Sequence, residues 1–278
     1  MIVRLWGTRG SLAAPGPETA RFGGNTSCVE VRGGGTVLVL DAGTGIRALG
    51  ASLAGALRRV DVLLSHLHMD HIQGLGFFAP LFRSDVEIHL WGPATTALDL
   101  RGRLARYLSP PLFPVHLRDL TTLVVHDLPA GEFTIGEFRL TAERVCHPGP
   151  TVGYRIASTD GVLAYLSDHE PALGASRFPL APAWTSGWSV AHDADLLIHD
   201  AQYSRDEYAA HVGWGHSTID DALAFAALAR VKRLVTFHHD PDHDDDEIEC
   251  LTLAAARGAA PAFPVSAGAE GETFTIGR

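Results

Sequence analysis

The densest group of candidate metal-binding side chains in this 278-residue sequence is His66-Leu67-His68-Met69-Asp70-His71, which follows the apolar run Val62-Leu63-Leu64. Imidazole nitrogens and carboxylate oxygens are donors that suit Zn²⁺, Mn²⁺ or Fe²⁺. On an extended segment His66 and His68 lie on the same side, and a helical turn after them would direct Asp70 and His71 towards a second ion nearby. Because unpartnered imidazoles are costly to bury, the segment predicts a metal site rather than a polar loop.

Three further donors occur singly, each just after an apolar segment. His147 follows residues 138–146, Asp168 follows residues 162–167 and His238 follows residues 233–237. A lone histidine after a strand is more often a structural residue with satisfied hydrogen bonds than a ligand. Strand ends on one side of a sheet converge, however, so the sequence predicts that these donors share a cleft with the first group.

The segments that would carry these donors are short, apolar and rich in β-branched residues, with glycine-rich turns between them. Strands are predicted at residues 2–6, 27–32, 36–41, 60–65, 86–91, 138–145, 153–157, 162–167, 196–199 and 233–237. Helices are predicted at residues 45–57, 95–108, 218–229 and 246–257, with Ser217 as the N-cap of the third. The predicted fold class is therefore α/β, with mixed β-sheets between outer helices.

This ordered series of donors resembles the dinuclear ligand series of the metallo-β-lactamase superfamily, and Asp41 in Leu40-Asp41-Ala42-Gly43-Thr44-Gly45 matches a structural aspartate of that family. The resemblance covers nearly the whole chain. It implies an αββα sandwich formed by a single domain, residues 1–278. The proline and tryptophan content of residues 172–193 predicts an inserted loop there rather than a domain boundary. The resemblance also implies two divalent ions that share Asp168, one held by His66, His68 and His147, the other by Asp70, His71 and His238.

Three shorter motifs are similar to the superfamily branch of ribonuclease Z and small cyclic-phosphodiester hydrolases. They are Gly24-Asn25-Thr26-Ser27, Gly215-His216-Ser217-Thr218, and Leu234-Val235-Thr236-Phe237-His238 followed by Asp240-Pro241. The resemblance implies a metal-dependent hydrolase. Zinc is the favoured ion, with manganese or iron as alternatives.

Asp70 and His216 are the candidate catalytic residues. Two divalent ions about 3.5–4 Å apart can share a hydroxide that attacks a phosphoryl or acyl centre, and Asp70 would orient it. His216 would bind phosphate oxygens or protonate the leaving group, the alternative being an exposed histidine at a helix start. Asp41 and Asp200 are expected to support the ligands or His216 from behind, although Asp200 also fits a plain loop aspartate.

Charge and spacing favour a small substrate. The formal net charge is −10, from 22 basic and 32 acidic residues, which predicts weak general binding to nucleic-acid backbones and to anionic membranes. Ribonuclease Z typically carries a long tRNA-binding arm between the ligands that correspond to His147 and Asp168, where this chain has 20 residues. No long nucleic acid and no membrane are therefore expected as partners.

The predicted function is that of a phosphodiesterase acting on small cyclic or simple phosphodiesters through a metal-bridging hydroxide. A carboxylic ester, lactone or thioester hydrolase, or a non-catalytic metal-binding protein, is the alternative. Three scattered cysteines without a C-x-x-C pair, and the lack of a visible secretory signal, predict a cytoplasmic location. The sequence leaves two points undecided: whether the chain forms a homodimer, and whether residues 110–114 and 172–193 close over the site.

Overall fold

Two seven-stranded β-sheets form the centre of the fold in the computed structural model, which describes all residues except 54, 56, 176 and 278. In chain order the strands are β1 (Ile2–Gly7), β2 (Cys28–Gly33), β3 (Thr36–Leu40), β4 (Arg59–Leu63), β5 (Glu87–Gly92), β6 (Leu123–Asp127), β7 (Glu132–Ile135), β8 (Phe138–Arg144), β9 (Val152–Ser158), β10 (Gly161–Leu166), β11 (Leu196–Asp200), β12 (Leu234–Phe237), β13 (Val265–Ala267) and β14 (Thr273–Thr275).

The two sheets have matching arrangements. The first has the spatial order β14-β1-β2-β3-β4-β5-β6, with antiparallel pairing from β14 to β3 and parallel pairing from β3 to β6. The second has the order β13-β12-β11-β10-β9-β8-β7, antiparallel from β7 to β10 and parallel from β10 to β13. The mixed sheets follow the prediction.

Helices lie on the outer faces of both sheets. They are α1 (Ile46–Ser52), α2 (Met69–Ile72), α3 (Leu100–Leu104), α4 (Trp188–Ala191), α5 (Arg205–Tyr208), α6 (Ile219–Leu228) and α7 (Asp245–Ala259). One apolar cluster, including Leu38, Leu63, Tyr154 and Phe237, fills the space between the sheets. Two other clusters lie between each sheet and its own helices. This four-layer arrangement confirms the predicted αββα sandwich.

Two of the predicted helices differ from those observed. Residues 95–108 were expected to be helical throughout, but α3 begins at Leu100 because the Asp99 side chain accepts a hydrogen bond from the Gly102 amide (2.7 Å) and caps the helix there. The helix predicted at residues 45–57 is observed only as α1, which ends at Ser52; residues 53, 55 and 57 are not helical, and residues 54 and 56 lie outside the described part of the chain. Thr218, not Ser217, caps α6, since its side chain accepts from the Asp221 amide at 2.9 Å.

The segment at residues 172–193, predicted as an inserted loop, contains turns, a 3-10 turn at Pro182–Trp184 and helix α4. Val190 and Ala191 in α4 are buried against the second sheet. The end of the segment at residues 172–193 therefore belongs to the outer layer of the sandwich. Across the described residues, the structure has no helix that is both long and apolar enough to span a lipid bilayer.

The fold brings several chain segments to one edge of the sandwich. Strands β3, β4, β10, β11 and β12 are parallel within their sheets, and β8 runs in the same direction as β10. The residues that follow their carboxyl ends therefore meet at this edge.

Candidate metal centre and active site

The predicted donors lie together at the carboxyl ends of these strands. His66 follows β4, His147 follows β8, Asp168 follows β10 and His238 follows β12. Strand β4 is shorter than predicted, because the Asp41 side chain accepts from the Ser65 amide (2.7 Å). This contact turns the chain out of the sheet directly before His66.

The first group of donors consists of His66, His68 and His147, whose ligand atoms lie within 4.8 Å of one another. His68 offers Nδ1, which lies 3.2 Å from Nε2 of His147. His66 and His147 are buried, whereas His68 is exposed. This arrangement leaves one side of the group open to the surface.

The second group consists of Asp70, His71, Asp168 and His238, again with ligand atoms within 4.8 Å. Oδ1 of Asp168 lies 3.0 Å from Nε2 of His71, and its Oδ2 lies 3.2 Å from Nε2 of His238. The same Oδ2 is 3.7 Å from Nε2 of His66 in the first group. Asp168 therefore lies between the two groups, as the resemblance implies for a shared ligand.

Two buried atoms of this cluster form no well-aligned hydrogen bond within the described part of the chain: Nε2 of His66, and Oδ1 of Asp168 despite its 3.0 Å distance from Nε2 of His71. A buried polar atom without a partner costs free energy. Both atoms face the cluster, where a divalent ion would satisfy them. The donor set and these unpaired atoms therefore fit a pair of divalent metal ions.

Two donors of the cluster are held in the protonation states that bind metal. Burial opposes ionisation, but the nearby His238 and His71 outweigh it and hold the pKa of Asp168 well below its ordinary value. Burial, with a contribution from His71, lowers the pKa of His66 well below its ordinary value. The cluster thus presents an ionised carboxylate and a neutral imidazole, the forms that bind metal.

Asp41 forms hydrogen bonds that fix the donor segment in place. Its Oδ2 accepts hydrogen bonds from Oγ of Ser65 (2.9 Å) and the hydroxyl of Tyr165 (2.8 Å), and lies 2.9 Å from Nδ1 of His71. With Nδ1 engaged in this way, His71 is left with Nε2 for an ion. Asp41 has a φ of 60°, in the left-handed region that aspartate tolerates better than most residues.

Asp41→Asn is expected to weaken metal binding about 10- to 100-fold, because an amide cannot fix the orientation of His71 as a carboxylate does. Competition between the protein and a coloured chelator measures this affinity. Asp61→Asn is the matched control, since Asp61 is a buried carboxylate that pairs with Arg59 away from the cluster. Equal zinc affinity in the Asp41→Asn variant and the wild type would contradict this role.

His216 lies beside the cluster, at the start of α6. Its Nδ1 is 2.7 Å from Oδ2 of Asp200, and its ring stacks on His238 with the ring centroids 4.9 Å apart. Burial disfavours the charged form, but the charge and hydrogen bond of Asp200 outweigh it and raise the pKa of His216 to about 9. Two bound dications would lower this pKa again by electrostatic repulsion.

The loop before His216 is held by Glu170, which lies two residues after Asp168. The buried carboxylate of Glu170 accepts hydrogen bonds from the amides of Gly213 and Gly215, both at 2.9 Å. The carbonyl of Gly215 in turn lies 2.8 Å from Nδ1 of His147. Glu170 therefore links the position of His216 to that of His147, a donor of the first group.

Gln202 is a site residue that sequence reasoning missed. Its side-chain oxygen lies 3.0 Å from Nδ1 of His238, which leaves Nε2 of His238 directed at the cluster. A glutamine after a strand has no distinctive spacing, so no signal in the sequence marks it.

Residues 110–114 and 172–193, the two segments considered for closure over the site, differ in their contacts. In residues 110–114, Phe113 is buried against Phe77, while Leu112 is 70% exposed beside Leu67 and Met69. In residues 172–193, Trp184 is 79% exposed, and Trp188 packs on His192. Both segments reach residues next to the donors: Leu112 lines a pocket with Leu67 and Met69, and the hydroxyl of Ser186 accepts a hydrogen bond from the amide of Cys146 (2.8 Å), which precedes His147.

The residues after His238 contact neighbouring loops. His239 lies 2.9 Å from the carbonyl of Gly268, and His243 lies 2.7 Å from Glu207. Oδ2 of Asp240 accepts a hydrogen bond from Gln202 (3.1 Å). Asp240 therefore supports the glutamine that orients His238.

Residues 36–239 match the family model described as the beta-lactamase superfamily domain. This range includes all seven donors and His216. The chain belongs to the metallo-β-lactamase superfamily. The resemblance drawn from the donor series is thereby confirmed.

Relatives place this superfamily member in the branch that resembles ribonuclease Z. The ribonuclease Z of Bradyrhizobium sp. is 30% identical over 274 residues, which cover 85% of this chain and 89% of the relative. Two solved structures share the fold over 99% of each chain: the metallo-β-lactamase fold protein YhfI from Bacillus subtilis (TM-score 0.72, 20% identity) and the short form of human tRNase Z (TM-score 0.67, 22% identity).

The prediction that excluded long nucleic acids is wrong, because the relatives that match most of the chain are ribonucleases. The net charge of a whole chain does not describe its local surfaces. Arg101, Arg103 and Arg106 lie within six residues of one another, and none of them takes part in an ion pair between described residues. The short interval between His147 and Asp168 excludes only one way of holding RNA.

Proposed function

We propose that this superfamily hydrolase is a dinuclear-metal phosphodiesterase whose substrates include RNA. The observation that carries the proposal is the pairing of His216 with Asp200 at 2.7 Å beside two donor groups that share Asp168. A phosphodiester needs cations for its oxygens and a proton for its departing alkoxide, and this arrangement offers both. The similarity to ribonuclease Z supports the choice of a phosphodiester over an acyl substrate.

The donors assigned to the ions are His66, His68 and His147 in one group, Asp70, His71 and His238 in the other, and Asp168 in both. Two divalent ions held there supply Lewis acidity and a nucleophilic water at neutral pH. Zinc is the ion that this donor set favours. Asp70, which accepts a hydrogen bond from the Ser11 amide (2.9 Å), keeps a carboxylate oxygen directed at the cluster.

His216 is assigned to the substrate. Because its Nδ1 is engaged by Asp200, only Nε2 is free to donate a proton to the phosphate or to the leaving oxygen. Asp200 is itself fixed by the amides of His169, Gln202 and Ser217, each at 3.1 Å. These contacts hold the imidazole in one tautomer and one orientation, as general acid catalysis requires.

A substrate panel tests the proposal. The zinc-loaded protein is assayed against bis(p-nitrophenyl) phosphate, a 2′,3′-cyclic nucleotide, a short single-stranded RNA, a precursor tRNA, a lactone and a thioester. We expect hydrolysis of the phosphodiesters, RNA included, that disappears on chelation. Hydrolysis of the lactone or thioester alone would overturn the proposal in favour of an acyl hydrolase.

A further inference from the structure

A pocket of about 610 Å³ opens beside the first donor group and is not used by the metal ligands. Leu67, Met69 and Ile72 line one wall. Each is the chain neighbour of a ligand: Leu67 lies between His66 and His68, Met69 follows His68, and Ile72 follows His71. The pocket therefore adjoins the segment that carries four of the seven donors, His66, His68, Asp70 and His71.

The opposite wall comes from α3 and the segment after it. It consists of Arg103, Arg106, Tyr107 and Leu112. The hydroxyl of Tyr107 donates to the Gln73 carbonyl (2.7 Å), which ties this wall to the ligand segment. The pocket therefore combines two guanidinium groups with an aromatic ring and an apolar side chain.

The two arginines are available to an anion. Neither Arg103 nor Arg106 pairs with a carboxylate of the described chain, and Arg106 is exposed. One nitrogen of Arg103 donates to the Pro93 carbonyl (2.6 Å), which fixes the side chain and leaves its other donors free. Partial burial and, second to it, the charge of the nearby Arg144 lower the pKa of Arg103, so a third arginine lies near the pocket.

The apolar part of the pocket is exposed as well. Met69 is 52% exposed and Leu112 is 70% exposed. Large apolar side chains next to unpaired arginines suit a ligand that has both a flat face and negative charge. A nucleotide has both features, since its base stacks on aromatic or apolar side chains and its phosphate binds arginine.

We propose that this pocket binds the nucleotide of single-stranded RNA that adjoins the scissile phosphodiester, with Arg103 and Arg106 on the next phosphate. The proposal rests on the proposed function, because it assigns the substrate of that reaction. Its volume lies within the range of about 300–1,000 Å³ that is usual for small-ligand sites. Binding there would add affinity for RNA without any arm between His147 and Asp168.

The test compares Arg106, just after α3, with Arg101 of α3, which differ in position. Arg106→Gln removes a charge from the pocket, whereas the matched control Arg101→Gln removes the same charge from a separate depression lined by Ala105 and His116. Fluorescence anisotropy with a labelled short single-stranded RNA gives the Kd of the zinc-loaded proteins. We expect the Kd to rise about five- to tenfold for Arg106→Gln and by less than about twofold for Arg101→Gln.

The salt dependence of the same Kd gives a second measure. Loss of one phosphate contact lowers the slope of log Kd against log salt by about 0.7 for a single strand. We expect this change in Arg106→Gln only. Equal Kd values and equal slopes in the two variants would refute the pocket, since they would indicate general attraction to positive charge.

A second assay separates the proposal that the pocket binds RNA from the proposal that the protein hydrolyses phosphodiesters. Hydrolysis of bis(p-nitrophenyl) phosphate by the wild type and by Arg101→Gln measures the reaction on a substrate that has a single phosphate. If these proteins hydrolyse it but Arg106→Gln binds RNA like the control, the pocket is refuted and the proposed function stands. If they hydrolyse no diester but RNA binding depends on Arg106, the pocket stands and the proposed reaction is refuted.

Discussion

Asp168→Asn is expected to reduce phosphodiester hydrolysis by about a thousandfold or more and to lower the bound metal from two equivalents to one or fewer. Asp168 contacts both donor groups, so its neutralisation removes the only negative charge that they share. Stabilisation by metal ions amounts to several kcal/mol, and each 1.36 kcal/mol is tenfold in rate. Elemental analysis and kcat/KM for bis(p-nitrophenyl) phosphate measure the two effects.

The matched control is Asp193→Asn, an exposed aspartate that pairs with Arg230. Exposed ion pairs contribute little, so this variant should keep full metal content and activity. Two equivalents of metal and wild-type activity in Asp168→Asn would contradict the assignment of Asp168 as the shared ligand.

His216→Ala is expected to affect substrates according to their leaving groups. Hydrolysis that releases a basic alkoxide, such as the ribose oxygen of RNA, should slow by about 10²- to 10⁴-fold, because general acid catalysis is worth that much. Hydrolysis that releases p-nitrophenolate should slow by less than about tenfold, since this anion departs without a proton. Rates for the two substrates, measured on one preparation, give the ratio directly.

Metal content is the companion measurement for His216→Ala, and it should stay at the wild-type level. His192→Ala is the control histidine, because His192 contacts Arg230 and Asp193 on the surface. An equal loss with both leaving groups would assign His216 to phosphate binding instead. Loss of metal in this variant would indicate that His216 is a metal ligand.

The donor series was readable from the sequence because each donor follows an apolar strand in a regular way. The rule that carboxyl ends of parallel strands meet at one edge was enough to bring His66, Asp168 and His238 together. The contacts behind them were not readable. Gln202 and Glu170 act through hydrogen bonds to His238 and to the loop of His216, and neither has a characteristic spacing in the chain.

The predicted boundaries of helices and strands are wrong where a side-chain hydrogen bond overrides the local propensity. The helix expected at residues 95–108 begins only at Leu100 because Asp99 caps it, and strand β4 ends early because Asp41 takes the Ser65 amide. Strands β6, β7, β13 and β14 lie outside the ten predicted strand ranges. The last two have three residues each, too short for a pattern of alternation.

The exclusion of nucleic acid failed for a different reason. A net charge sums over the whole surface, whereas binding depends on the charges near one site. Arg103 and Arg106 are three residues apart in the sequence, but only the fold places them across a pocket from the donor segment. That juxtaposition is a property of the fold, and the order of residues does not contain it.

Stepwise return of zinc to the metal-free protein tests the central claim most directly, with hydrolysis of bis(p-nitrophenyl) phosphate and bound zinc followed together. We predict that hydrolysis is absent without metal, rises as zinc binds and reaches its maximum at two equivalents per chain. Full hydrolysis by the metal-free protein, or a protein that takes up no zinc, would contradict the account.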